Sequence, residues 1–323
     1  MTAMRSLSAS ALALGAKGAA LTVALALAFA FLPVISLAVV PFLPLPTAYV
    51  CLRQGGMAAA ISAVAASLMA GIISGVGSGL FTFALAVLAG VALGLALRRN
   101  RGFSGVLLAT AVATAAGLVL WVGGVWVVTG MTVEQFGALM DTSFQAVAQM
   151  YAGMNMDAEA VAQAEEGARS MLAMLPYLAP GIVASVGVAL AALTLALASL
   201  LFPRLGHATT PALSFHEFRL HWATPYGFIL GLLLILMAGW WPHGGEAARL
   251  AGINLVLFFA TLFFVQGFAV ARWFMLKRGV KGGAAVAFYG AALLGQVFFQ
   301  LLSWVGVVDC WLDFRKRMTP KLV

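Results

Sequence analysis

The feature that most constrains this chain is a succession of long apolar stretches, among them residues 181–202 and 253–271, with no charged side chain inside them. A helix of about 20 apolar residues crosses a hydrocarbon core about 30 Å thick. Hydrocarbon offers backbone N–H and C=O groups no partner, so a crossing segment is either a helix or a strand of a closed barrel. Long unbroken runs, in place of short alternating strands, select the helix. Composition agrees: 63% of the residues are hydrophobic and 9% charged, with a mean hydropathy of +1.04, outside the range of water-soluble domains. The expected fold class is an all-α polytopic transmembrane helix bundle.

Nine stretches qualify as spans: residues 11–31, 34–52, 57–76, 79–97, 106–128, 172–201, 226–241, 250–273 and 283–308. Eight or nine crossings are therefore expected. The second is interrupted by Pro41, Pro44 and Pro46 and the seventh is short. Prolines at that depth point to a kinked buried helix or to a broken helix beside a cavity. Arg5 and Lys17 precede the first run, and Lys17 abuts it directly, which favours an uncleaved first span over a signal peptide.

The formal net charge is +8, but the basic residues lie in short clusters between runs, the pattern that fixes orientation in a bilayer and not one that binds nucleic acid. Arg98, Arg99 and Arg101 crowd one loop, whereas residues 130–170 carry Glu134, Asp141, Asp157, Glu159, Glu165 and Glu166 against Arg169 alone. Positive-inside then puts the 98–101 loop in the cytoplasm and the 130–170 loop outside a bacterial inner membrane. Within the outer loop, Thr132 and Gln135 have capping-box spacing, and Phe136, Met140, Phe144, Val147 and Tyr151 follow on one helical face. Asp157 is placed to cap a second helix leading toward Leu172. The chain divides into an N-terminal helical unit (1–202), a cytoplasmic loop (203–225) and C-terminal helices with a basic tail (226–323). Strict alternation of crossings sends that tail outside, although Arg315, Lys316, Arg317 and Lys321 favour the cytoplasm. A re-entrant turn at Gly295 or a non-crossing 226–241 segment would resolve the conflict, but alternation is geometric and is given precedence.

Chemistry-bearing motifs are scarce. His216 and His221 flank Glu217 one residue too far apart for the zinc-protease helix, in which both imidazoles share a face. No metal or cofactor is expected, and Cys51 and Cys310, far apart and outside any paired motif, read as free thiols. There is no phosphate-cradling GxxxxGK[ST] sequence, so any ATP-driven work belongs to another subunit. No ionisable residue sits at mid-span, where a coupling group would lie. The deep polar residues are the neutral Asn254, Gln266, Gln296 and Gln300, candidates for interhelical hydrogen bonds or for a small polar ligand. Gln296 and Gln300, four apart, are expected to share an inward helix face. Gly71, Gly75 and Gly79 form a small-residue stripe suited to close helix packing or to docking another membrane subunit.

The final span runs into a tail containing Asp309, Trp311, Asp313 and Arg315. This ending, with Gln266-Gly267 on the preceding span and the early prolines, resembles the YybS-like family of bacterial membrane proteins, itself distantly similar to the S components of energy-coupling-factor transporters. The resemblance implies a six-helix unit over residues 11–202 that binds a vitamin-sized solute and docks on an energising membrane partner. Three extra helices after Pro203 and the long acidic outer loop depart from that pattern. The expected function is a non-enzymatic, small-solute-binding or transport-associated subunit, the alternative being a membrane scaffold that assembles other proteins.

Overall fold

A computed structural model of the protein describes residues 9–32, 35–153, 158–207, 214–241 and 244–318, and every regular element among them is helical. Eight of these helices are long and apolar enough to cross a membrane, and two shorter apolar ones, Thr224–Trp240 and Leu301–Leu312, accompany them. Asp157, the expected second cap of the outer loop, lies outside the described residues.

Helix α1 (Ala9–Phe31) leads through α2 (Ser36–Val39) and a tight turn, Val40–Phe42, into α3 (Pro44–Gln54). The prolines cannot donate to a helical ladder. The bend they impose is buried, and the Pro41 carbonyl accepts the Thr194 hydroxyl at 3.1 Å. Helices α4 (Gly56–Ser74) and α5 (Val76–Thr82) form a hairpin, and α5 runs through a π-helical stretch, Phe83–Gly90, into α6 (Val91–Arg98). Next come α7 (Phe103–Thr129), α8 (Val133–Gly153) and the 44-residue α9 (Ala158–Leu201). The chain continues with α10 (Thr224–Met237), α11 (Gly245–Lys277), α12 (Gly282–Phe299), α13 (Leu301–Leu312) and a last turn, α14 (Phe314–Arg317). The principal core lies between α3, α6, α7, α9 and α11, where Ala48, Leu93, Val106, Leu195 and Ala269 are buried together.

The glycine stripe is not one face of one helix. Gly75 stands at the turn between α4 and α5 with φ +92°, a conformation that costs glycine little, and a Cβ there would meet nothing within 4 Å. Gly71 and Gly79 instead face each other across the hairpin, where a Cβ on Gly79 would lie 2.8 Å from the Gly71 Cα.

The two ends of the bundle differ in charge. Arg53 donates to the carbonyls of Leu205 and Gly206 at 3.3 Å each, and Arg98 reaches the Cys51 carbonyl at 3.3 Å. Phe103 packs 5.5 Å from Phe215 and 5.4 Å from Phe218, centroid to centroid. The 53–56 and 98–103 connections and residues 203–207 and 214–223 thus gather at one basic end. At the opposite, acidic end the capping box forms as its spacing predicts: the Thr132 N–H donates to Gln135 Oε1 at 2.9 Å and the Gln135 N–H to Thr132 Oγ1 at 3.2 Å. There α8 lies against the projecting part of α9, and Arg169 pairs with Asp141 and, at 2.9 Å, with Glu165. Only Leu172–Leu201 of α9 is apolar enough to span.

The C-terminal segment departs from the sequence expectation. Residues 283–308 do not form one continuous helix; they fold back at Gln300, which has φ +55°. The Gln296 amide closes this hairpin, donating to Ser303 Oγ at 3.0 Å and accepting from the Ser303 N–H at 3.1 Å. Ser303 Oγ donates in turn to the Ala260 carbonyl at 3.3 Å, which fixes the tip about half-way along α11. From there α13 runs beside α11 toward the basic end, with Gly267 and Gly306 at the contact. Neither glycine has room for a Cβ: it would strike the Leu302 or the Phe263 carbonyl. The tail therefore returns to the end that holds the 98–103 loop, and the turn is at Gln300 instead of Gly295. Gln300 is exposed and shares no helix face with Gln296.

Filling a close helix contact typically costs about 1–3 kcal/mol. Gly267→Leu is expected to lower the thermal midpoint in mild detergent well below that of Gly290→Leu, since a Cβ at Gly290 meets nothing within 4 Å. Equal midpoints would remove the α11–α13 contact from the account.

Candidate functional site

Two features at the basic end bring chemistry-bearing side chains together. The first is a buried polar network. Asp309, in the last turn of α13, has a side chain 1% exposed beside an Arg315 side chain 2% exposed, and Arg315 Nη2 donates to Asp309 Oδ2 at 2.7 Å. The same oxygen accepts from Gln266 Nε2 at 2.6 Å, and Asp309 Oδ1 accepts the Phe314 N–H at 3.0 Å. Arg315 Nη1 donates to the carbonyls of His216 at 2.9 Å and Phe218 at 2.8 Å. Gln266 Oε1 accepts the Leu220 N–H at 3.0 Å. Burial of a charge is tolerated when it is paired and its remaining valences are satisfied. Here a carboxylate, a guanidinium and an amide bind α11, α13, α14 and the 214–220 loop into one unit. Asp313 joins from outside: it caps α14 by accepting the Lys316 N–H at 3.2 Å, and its Oδ2 receives Arg219 Nη1 at 2.5 Å.

The second feature is a cavity of about 510 Å³ between α7, α9 and α11. Leu107, Ala111, Val188, Phe258 and Leu262 form its walls, while its polar members, Ser104, Arg219, His221 and Thr224, all lie at the basic end. Leu108, 66% exposed, and Val112 also line it, on the outward face of α7, so its flank opens where acyl chains would lie. A cavity of about 310 Å³ beside the proline bend is lined by Leu21, Phe42, Tyr49 and Phe202 among others. A third, of about 430 Å³, lies between α11, α12 and α13 and is apolar.

The deep polar residues separate by role. Asn254 docks on the backbone of α9. Its Oδ1 accepts the Gly181 N–H at 2.6 Å and its Nδ2 donates to the Tyr177 carbonyl at 2.9 Å, an i, i+4 pair of the helix. The contact sits beside Pro180, inside α9, and Asn254 adds hydrogen bonds where a proline weakens the helical ladder. Gln266 belongs to the buried network, Gln296 to the hairpin tip, and Gln300 to the exposed turn. Of the tail residues, Asp309, Asp313 and Arg315 converge, whereas Trp311 is exposed. Among the described residues, no three His, Cys, Asp or Glu side chains are grouped to hold a metal ion.

Compared with known proteins, residues 20–310 match the family described as Predicted membrane protein (DUF2232). The chain belongs to this family. No curated protein and no solved structure matches it. The family region runs from α1 into α13 and so contains Gln266 and Asp309 of the network, while Arg315 and Asp313 lie just beyond it. In this family member the residues that sequence reasoning missed are Arg219, Ser303 and Gly181. Arg219 and Ser303 carried no spacing signal, because their partners are 94 and 43 positions away. Gly181 directly follows Pro180, and that proline was the visible hint of a weakened helical ladder.

Removing one member of a buried ion pair typically costs about 3–5 kcal/mol, while replacing both by apolar residues is often close to neutral. Arg315→Met is accordingly expected to destabilise the protein in detergent more than Asp309→Leu with Arg315→Met together. A double variant as unstable as the sum of the singles would show that the two side chains act independently.

Proposed function

We propose that this membrane protein is a non-catalytic, transport-associated subunit that binds an apolar or amphiphilic molecule drawn from the bilayer and has no ATPase of its own. The observation that carries this reading is the 510 Å³ cavity, within the roughly 300–1,000 Å³ common for small-molecule sites. A water-soluble solute is held by polar groups converging from the walls. Here the polar groups stand only at the mouth, the walls are hydrocarbon, and exposed α7 side chains flank the opening. The S-component resemblance supports a binding subunit energised by a partner, with a more apolar ligand than that resemblance implies. Under the positive-inside bias, the basic end faces the cytoplasm and α8 lies outside. The scaffold reading draws on α12, along which Ala292 is buried and Val286, Leu294, Val297 and Phe298 are exposed, leaving a face for a neighbouring protein.

Native mass spectrometry of protein purified in mild detergent distinguishes the two. The wild type is expected to retain a lipid-sized molecule, and Ala184→Phe, which fills the cavity, to lose it while keeping its thermal midpoint. Val286→Phe on α12 should leave retention unchanged. A wild type that carries nothing, or an Ala184→Phe variant that retains as much, would favour the scaffold.

A further inference from the structure

Two arginines meet the tail at the basic end, and their surroundings differ in a way that points to a ligand. Arg315 is enclosed, with a carboxylate and two backbone carbonyls as acceptors. Arg219 lines the mouth of the 510 Å³ cavity and is held by one bond to Asp313, the two side chains 48% and 33% exposed. An exposed ion pair of that kind contributes little and exchanges readily. A guanidinium bound through one nitrogen also keeps donors for the two-point contact that a phosphate or carboxylate accepts.

The rest of the mouth has the same electrostatic sense. Ser104 lies in the first turn of α7 and Thr224 opens α10, so two helix N-termini, each carrying partial positive charge, converge there. His221 lines the same cavity, its Nδ1 accepting the Ala223 N–H at 3.2 Å. No Asp or Glu lines the cavity. An apolar shaft with an opening of this sign fits one class of molecule, whose hydrocarbon fills the walls and whose anionic head stays at the mouth.

Resting on the reading of the cavity as a binding site, we infer that its ligand is an anionic membrane amphiphile, such as a phospholipid with a singly charged phosphate head, and that Arg219 selects it by exchanging Asp313 for the head group. Asp313 is then the internal competitor. Because Asp313 also caps α14, head-group binding loosens the outer tie of the tail while the buried Asp309–Arg315 pair holds the hairpin in place.

The test is native mass spectrometry of the full chain equilibrated with an equimolar mixture of phosphatidylglycerol and phosphatidylcholine. The wild type is expected to retain phosphatidylglycerol several-fold over phosphatidylcholine, and Arg219→Gln to retain both equally with no loss in total lipid. Asp313→Asn keeps a side chain that caps helices and tolerates the left-handed backbone, and should raise the preference above wild type. Lipid retained without head-group preference, or a preference that survives Arg219→Gln, overturns the inference and leaves the cavity reading standing. Loss of phosphatidylglycerol to inorganic phosphate at equal concentration overturns it as well, by making a free anion the occupant. Absence of any retained lipid in the wild type defeats both.

Discussion

A guanidinium and a carboxylate, both almost wholly excluded from solvent at the edge of an apolar bundle, dictate where the chain goes after α11. Neither Asp309 nor Arg315 is affordable there alone. Each is stabilised by the other and by groups from distant segments: Gln266 on α11, the Phe314 N–H, and the carbonyls of His216 and Phe218. Because the 214–220 loop is at the basic end, α13 must descend to that end as well. The chain after α11 therefore has to turn back beside that helix, and it does so at Gln300, where Gln296 and Ser303 supply hydrogen bonds at the turn.

The same physical demand recurs beside two of the prolines within the helices. At the early proline bend, Thr194 from α9 serves the Pro41 carbonyl. Beside Pro180, Asn254 from α11 bridges the Tyr177 carbonyl and the Gly181 N–H. Thr194 and Asn254 are in this way committed to backbone partners, whereas the apolar cavity between α7, α9 and α11 joins hydrocarbon walls to a basic mouth.

The helices were legible because their signal is local: apolar length, glycine turns, and a capping box that spans four residues. The division of charge between the two ends was legible for the same reason, since clusters such as Arg98, Arg99 and Arg101 identify themselves. What the sequence did not show depends on long-range pairing. Gln296 and Gln300 have the spacing of a shared helix face, but α12 ends at Phe299 and the positive φ at Gln300 turns its side chain away, and the reason lies in the contact of α13 with α11. Gly75 has the spacing of a packing stripe, yet it is the turn that lets Gly71 and Gly79 meet. The tail residues drew attention through resemblance, while the partners that give them meaning, Gln266 and Arg219, are 43 and 94 positions away. Counting alternate crossings placed the tail on the wrong end because one apolar run was long enough to pass for a span.

The tail lies on the same face as the 98–103 loop, opposite α8. Single cysteines introduced at Asn100, Ser143 and Lys316, in a chain with Cys51 and Cys310 replaced by serine, test it directly with a membrane-impermeant maleimide on intact and lysed spheroplasts. The structure predicts that Asn100→Cys and Lys316→Cys behave alike and Ser143→Cys oppositely. Labelling of Lys316→Cys together with Ser143→Cys would mean that residues 283–308 cross completely, and would contradict the hairpin on which the account depends.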